Sequence, residues 1–172
     1  MRIAACILAV LIPVQSDEEK AVASFKAYHE AIKSGDHEKA VDLIHPKSVG
    51  KIRDRVLVSL DKAPAAIQER FLKTLGFKDM QALKDSAPRA FFVAYLKNLK
   101  DLGEGPKQIM GMVEGAETTV VGSLKKDDKV YIIAESKFTL ESETHVIPVL
   151  HVAYKDGDSW KLAHRGETNI GK

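Results

Sequence analysis

Six histidines are the sequence's candidates for acid–base chemistry. Three of them, His29, His37 and His45, recur every eight residues in the stretch AYHEAIKSGDHEKAVDLIHP. Histidines that bind one metal ion from a single helix are about three or four residues apart. Gly35 also interrupts the helix between the first two. We therefore expect these three histidines at the surface or at helix ends, and not in a metal or catalytic site.

The other histidines lie in the C-terminal part of the chain, where apolar and polar residues alternate. A period of two predicts strands, and the short links ESET and KDGDS predict antiparallel hairpins. Tight turns at Ser142-Glu143 and Asp156-Gly157 would put Val149 opposite both Ser136 and His164. These turns predict one covered sheet face, made of Val130, Ile132, Ala134, Phe138, Leu140, Ile147, Val149, Ala153, Trp160 and Leu162.

Three polar residues, Ser136, His151 and His164, fall within that apolar face. A mostly apolar wall with a few converging polar groups is typical of a ligand pocket. The alternatives are half-buried histidines bonded to backbone or water, and a histidine that acts as a general base. Two histidines without a carboxylate or thiolate fall short of the usual three or four zinc ligands. We therefore predict neither a metal nor a cofactor.

The opposite sheet face combines apolar and charged residues. It carries Tyr131, Glu135, Lys137, Val146, Leu150, Val152 and Lys161. An exposed apolar stripe on this face would favour a homodimer or another protein partner. Pro148 lies in the same strand and predicts a sheet edge or a bulge.

Composition and charge limit the classes of partner. The chain has 172 residues, of which 45% are apolar and 29% charged, as in an ordinary globular domain. Its 26 basic and 24 acidic residues are too balanced to predict a nucleic-acid partner. The apolar stretch from Ile3 to Val14 is too short for a membrane span, which needs about 20 residues.

The N-terminus has the layout of a secretory signal peptide, with Arg2, an apolar stretch and then polar Gln15 and Ser16. We expect residues 1–16 to be removed and the protein to be exported to the periplasm or the cell exterior. Cys6 follows too few apolar residues for a lipoprotein signal, so we expect no lipid there.

Residues 17–172 then form one α+β domain, with N-terminal helices packed on one face of a curved antiparallel meander. The helical part covers 17–103 and the sheet 107–167. Helices are predicted at about 18–34, 36–45, 47–60, 64–76, 78–83 and 86–103. Strands are predicted at about 107–114, 118–125, 129–140, 144–154 and 159–166.

The segment FKAYHEAIKSGDHEKAVDLIHP, followed late in the chain by YKDGDSWKLAH, resembles the nuclear transport factor two-like superfamily. The resemblance implies a cone-shaped fold in which a curved sheet wraps a long first helix around a pocket. It also implies either a binding module or an enzyme of the ketosteroid-isomerase, dehydratase or cyclase kind. In the enzyme case, Tyr28 would donate a hydrogen bond and His151 or His164 would be the base.

We therefore expect an exported, non-enzymatic domain that binds a small apolar ligand or a protein. The residues expected at the ligand are Tyr28, Tyr95, Ser136, Val149, His151, Trp160 and His164. One alternative is an isomerase- or dehydratase-like enzyme with a histidine base in the pocket. The other is a structural dimer that uses the open sheet face.

Overall fold

The computed structural model describes residues 15–140 and 142–164, and within them it shows an α+β fold. The helices are α1 (Asp17–Ser34), α2 (His37–Asp42), α3 (Pro46–Asp61), α4 (Ala65–Leu75), α5 (Met80–Asp85), α6 (Pro88–Lys97), a 3₁₀ helix (Leu99–Leu102) and α7 (Glu104–Gly115). The strands are β1 (Glu117–Lys126), β2 (Lys129–Leu140), β3 (Glu143–Asp156) and β4 (Ser159–Leu162). Residues 1–14, which hold most of the predicted signal peptide and Cys6, lie outside the described part.

Local capping signals determine the ends of α1. The Ser16 hydroxyl accepts a hydrogen bond from the Glu19 amide at 3.1 Å, and the Glu19 carboxylate accepts one from the Ser16 amide at 2.9 Å. This capping box satisfies two amides that would otherwise lack a partner. Gly35 ends the helix with a φ of 72°, a left-handed conformation that glycine adopts without strain.

The structure corrects the prediction for the segment that follows the predicted sixth helix. Residues 107–114 were expected to form a strand, and they belong instead to α7. Pro106 lies in the first turn of α7, where a missing amide hydrogen costs nothing. Met110 and Val113 are three positions apart and pack against the helical core, which is helical spacing. The predicted sixth helix ends earlier, at Lys97, and continues as the 3₁₀ turn.

The sheet is an antiparallel meander in the order β1-β2-β3-β4, as predicted. Both predicted hairpin registers are wrong by two residues. Ala153 pairs with Leu162 instead of Trp160, because the chain turns at Gly157-Asp158. A shift of two residues leaves each side chain on its predicted face, since strand faces alternate with a period of two.

In the β2–β3 hairpin, Val149 pairs with Ala134 instead of Ser136. Ser136 faces Ile147 across the ladder, and His151 faces Ile132. Val149 is therefore diagonal to Ser136 and two positions from His151 on the same face. It is not opposite His164, which follows the end of β4.

Helix α1 lies across the inner face of the sheet and buries the residues there. Phe25 and Ala21 pack against a cluster on the strands, which consists of Val130, Ile132, Ala134, Ala153, Trp160 and Leu162. These six strand residues were all predicted to be covered, and all are buried. A second core cluster joins α1 to α2, α3, α4, α5, α6 and α7.

The far end of the β2–β3 hairpin extends past the helices. Leu140 and Ile147 were predicted to be covered, and they are exposed, while Phe138 is half-buried against His145. Among residues 15–140 and 142–164, β4 pairs only with the last residues of β3, so β3 has β2 as its one neighbour at Pro148. Within the described residues Pro148 therefore lies in an edge segment of the sheet, as predicted.

The outer sheet face is apolar and open along part of its length. Ile133, Val146 and Leu150 are exposed there, together with Leu124 on β1. Val152 departs from the prediction, because it is buried in a small cluster with Tyr154 and Ala163.

Candidate functional site

A cavity of about 210 Å³ lies between α1, α6, α7 and the end of β4. We call it the histidine cavity, because His29, His151 and His164 all line it. Tyr28 and Tyr95 supply its other polar groups. Its remaining wall is apolar and consists of Ile32, Ile44, Phe92, Leu96, Leu99, Ile109, Met110, Val113, Leu162 and Ala163.

Helix α1 contributes one side of the cavity through Tyr28, His29 and Ile32. These residues fall on one face because Ile32 lies one helical turn beyond Tyr28 and His29. The ring of Phe25 lies below them and contacts the His29 ring edge-on, with centroids 4.5 Å apart. Phe25 is almost fully buried, so it is a fixed support for the histidine above it.

His151 reaches the cavity from β3, on the inner face of the sheet. It is 6% exposed, and its ring meets Phe25 at 4.7 Å between centroids. The rings of His29 and His151 are 5.9 Å apart and nearly perpendicular. Nε2 of both rings is buried. A helix and a strand that are far apart in sequence thus bring two imidazoles to one wall.

His164 is positioned by the chain that follows β4. Its backbone amide donates a hydrogen bond to the Ser48 hydroxyl at 3.2 Å, and Ser48 on α3 is fully buried. Just before it, the Leu162 amide donates to the carbonyl of Leu43, and the His45 amide donates to the carbonyl of Leu162, both at 2.8 Å. These bonds hold the end of β4 against the α2–α3 link and direct His164 toward Phe92, at 6.3 Å between rings.

Tyr95 lies on α6 and forms the opposite wall. Its ring stacks on Phe91 and Phe92 with centroids 5.9 and 6.0 Å apart. Burial raises the pKa of the Tyr95 hydroxyl above its usual value. The phenol is therefore a neutral hydrogen-bond donor at physiological pH.

Three of the predicted ligand residues do not line the cavity. Trp160 is buried beneath α1, where its indole N–H donates to the Asp17 carboxylate at 3.2 Å. Ser136 is buried farther along β2, and Val149 packs against the α1–sheet core. Val149 was expected to be the centre of the polar group, and the cavity instead lies toward α6 and α7, where only His151 of the inner β2–β3 face reaches it.

His29 is the site residue that the sequence analysis missed, because it was expected at the surface. Its neighbours carried the missing signal: Phe25 is four residues before it and Ile32 three residues after it, on the same face of the helix. His37 is at the start of α2 and His45 caps α3, as expected for helix ends. Burial lowers the pKa of His45.

The polar groups of the histidine cavity are three imidazoles and two phenols. Among the described residues that line it there is no Asp, Glu, Lys or Arg. In the same part of the chain, no three His, Cys, Asp or Glu side chains are close enough to hold a metal ion. The cavity offers a ligand ring contacts and hydrogen bonds, and its described lining has no carboxylate, ammonium or guanidinium group.

Comparison with known proteins gave no match to a family model, a curated protein or a solved structure. Over residues 15–140 and 142–164, no helix has the length and apolar character needed to cross a membrane.

Proposed function

We propose that the protein binds a small, neutral, ring-shaped ligand in the histidine cavity and catalyses no reaction on it. The observation that carries this proposal is that side chains from separate segments of the chain meet at one cavity. Four residues from α1, α6, β3 and the chain after β4 line one cavity, and they are Tyr28, Tyr95, His151 and His164. The sequence analysis predicts the same four residues at a ligand.

The size of the cavity supports a ligand with one or two rings. An apolar cavity of about 150 Å³ accommodates benzene, and the histidine cavity has about 210 Å³. It is smaller than the roughly 300–1,000 Å³ typical of drug-sized ligands. A charged ligand would lose its hydration without meeting an Asp, Glu, Lys or Arg side chain in the described lining, which is costly.

The test uses p-cresol, a neutral phenol, and 4-hydroxybenzoate, its charged analogue, as probes. Saturation-transfer NMR measures their binding to the full chain, to Val113→Phe and to Val58→Phe. Val113 lines the cavity on α7, while Val58 is exposed on α3 and outside it. Both variants therefore add a phenyl ring, one in the lining of the cavity and one at an exposed position outside it.

We expect p-cresol to bind the unmodified chain and Val58→Phe, and to lose most of its binding to Val113→Phe. The carboxylate of 4-hydroxybenzoate should abolish binding to all three. Equal binding to Val113→Phe and Val58→Phe would contradict the proposal. Native mass spectrometry of the protein from its own exported fraction would then give the mass of the natural ligand, and would test export at the same time.

An enzyme is the alternative that the His29–His151 pair favours. Either imidazole could remove a proton next to the carbonyl of a bound ketone, with Tyr28 as hydrogen-bond donor. The lining described here offers no carboxylate to orient the base. This alternative predicts accelerated hydrogen–deuterium exchange of cyclohexanone in D₂O, slowed by His151→Gln. Exchange at the buffer rate would refute it.

A homodimer through the outer sheet face is a second candidate, supported by the exposed Ile133, Val146 and Leu150. Glu135 and Lys137 lie on the same face and have opposite charges. A twofold axis between the two subunits could pair each with its opposite in the partner. The open face is thus self-complementary in charge as well as apolar.

Sedimentation velocity tests this dimer with Leu150→Glu and with Leu140→Glu as the matched control. Both leucines are exposed on strands, but Leu140 lies on the inner face at the far end of the hairpin. A dimer that dissociates only in Leu150→Glu would support the outer face. A monomer in every variant at about 100 μM would refute it, since stable interfaces bind more tightly than this.

The family assignment stays a proposal. It is supported by α1, which lies across the inner face of an antiparallel sheet as the nuclear transport factor two-like resemblance implies. It is also supported by a cavity beside α1 instead of a filled core.

A further inference from the structure

The helical side of the molecule has a second concave surface that the proposed function does not use. It is a groove between α3 and α4 with a volume of about 470 Å³. Its walls are apolar and include Val56, Leu60, Ile67 and Phe71. Arg55 on α3 and Arg70 on α4 also line it, and we call this surface the arginine groove.

The charge of the arginine groove has one sign. Its lining holds two arginines and, among the described residues, no Asp or Glu. Arg70 is exposed and forms no ion pair with any other residue in the described part of the chain. A guanidinium offers a planar pair of donors that matches a carboxylate. The groove therefore presents an anion-binding group beside apolar surface.

The apolar part of the groove is large enough for a chain. Its volume falls within the roughly 300–1,000 Å³ of known ligand sites. Ile67 is 52% exposed in its wall, which is a large apolar surface left in water. A ligand that covered this surface and placed its charge at the arginines would gain from both features.

We propose that the arginine groove binds a free single-chain amphiphile with a carboxylate head group, such as a fatty acid. The carboxylate contacts Arg70 while the chain lies on Ile67 and Phe71. This site is separate from the histidine cavity in its charge and in the ligand it takes, although Tyr95 is part of the wall of both.

The probe is decanoate below its micelle concentration, and its binding to the full chain is measured by calorimetry. Decanol, with the same chain and no charge, and acetate, with the same charge and no chain, are the comparison ligands. The variants are Arg70→Gln and, as its control, Lys73→Gln, which removes an equal charge from the same exposed helix outside the groove. Ile67→Glu and Val58→Glu form a second pair at exposed apolar positions.

We expect decanoate to bind, decanol to bind at least fivefold more weakly and acetate not to bind measurably. Arg70→Gln should weaken decanoate binding about five- to tenfold, and Ile67→Glu should abolish it. Lys73→Gln and Val58→Glu should leave it within about twofold. Binding should also weaken with added salt, since the arginines are exposed.

Four results would overturn this proposal. The first is the absence of decanoate binding at 1 mM, and the second is equal loss in Arg70→Gln and Lys73→Gln. The third is binding that Val113→Phe removes and Arg70→Gln does not, because the anion would then occupy the histidine cavity. Stronger binding to anionic phosphatidylglycerol vesicles than to decanoate would assign the groove to a membrane surface and also refute the free amphiphile. None of these results depends on p-cresol binding, so the two sites succeed or fail separately.

Discussion

Filling the histidine cavity from α7 should stabilise the protein, and the sign of the effect tests whether the cavity exists. Val113→Phe adds about four carbon atoms, each worth about 0.8 kcal/mol when buried, for an upper limit of about 3 kcal/mol. Val113 is only half-buried at the mouth of the cavity, so about half of that gain is realistic. We expect the free energy of unfolding to rise by about 1–2 kcal/mol, and Tm by about 3–6 °C.

Urea unfolding followed by fluorescence is the assay, since Trp160 is the only tryptophan of the chain. Val58→Phe is the control, and its exposed position should keep its effect within about 0.5 kcal/mol. A loss of about 1–3 kcal/mol in Val113→Phe would mean that the ring is forced into a filled core. That result would refute both the cavity and the ligand proposal that depends on it.

Two further predictions concern α1 and α3. Asp17 accepts hydrogen bonds from Lys125 at 2.6 Å and from Trp160, and these bonds lower the pKa of Asp17. The stability that they give is therefore present above about pH 4 and is lost as the pH falls through the lowered pKa. Asp17→Asn should therefore destabilise the protein at pH 6, and its difference from the unmodified chain should shrink toward pH 2; a constant difference would contradict this. Gly35→Ala should lower the free energy of unfolding by about 1 kcal/mol, because position 35 has a left-handed φ. Gly50→Ala should raise it by about 0.5–1 kcal/mol, because position 50 lies inside α3 and a Cβ there meets no atom. Urea titration of both alanine variants checks the two signs, and a similar effect at both positions would refute the conformational argument.

The boundaries of α1, α3 and α4 and the start of α2 could be predicted from the sequence, because the signals that begin and end these helices are local. Gly35 and Gly76 adopt the left-handed conformation that follows α1 and α4. The Asp36 carboxylate accepts a hydrogen bond from the Lys39 amide at 3.1 Å and begins α2. Each of these signals acts within a few residues, so no knowledge of tertiary contacts was needed.

The faces of the sheet could also be predicted, but the hairpin registers could not. Alternation determines which side of a strand is apolar, and a two-residue shift does not change it. The favourable Asp156-Gly157 turn competed with Gly157-Asp158, and the structure has the second, with Gly157 at a φ of 60°. The observed register pairs Ala153 with Leu162, two small or medium core residues beneath α1. Both registers put the same residues of β3 and β4 on the covered face, so alternation could not distinguish the two turns.

The error at residues 107–114 is the one that bears most on the site. A strand there would have added a fifth strand to the sheet and left the space beside α1 open. The helix α7 instead brings Met110 and Val113 against α1 and α6, and so completes a wall of the histidine cavity. Tyr28 could be found from the α1 stripe, Tyr95 from the α6 stripe and His151 from alternation within β3, because those patterns are regular. The enclosure that turns them into a cavity depends on a short helix whose sequence, KQIMGMVEG, fits both periods, and only its packing against the helical core distinguishes the two.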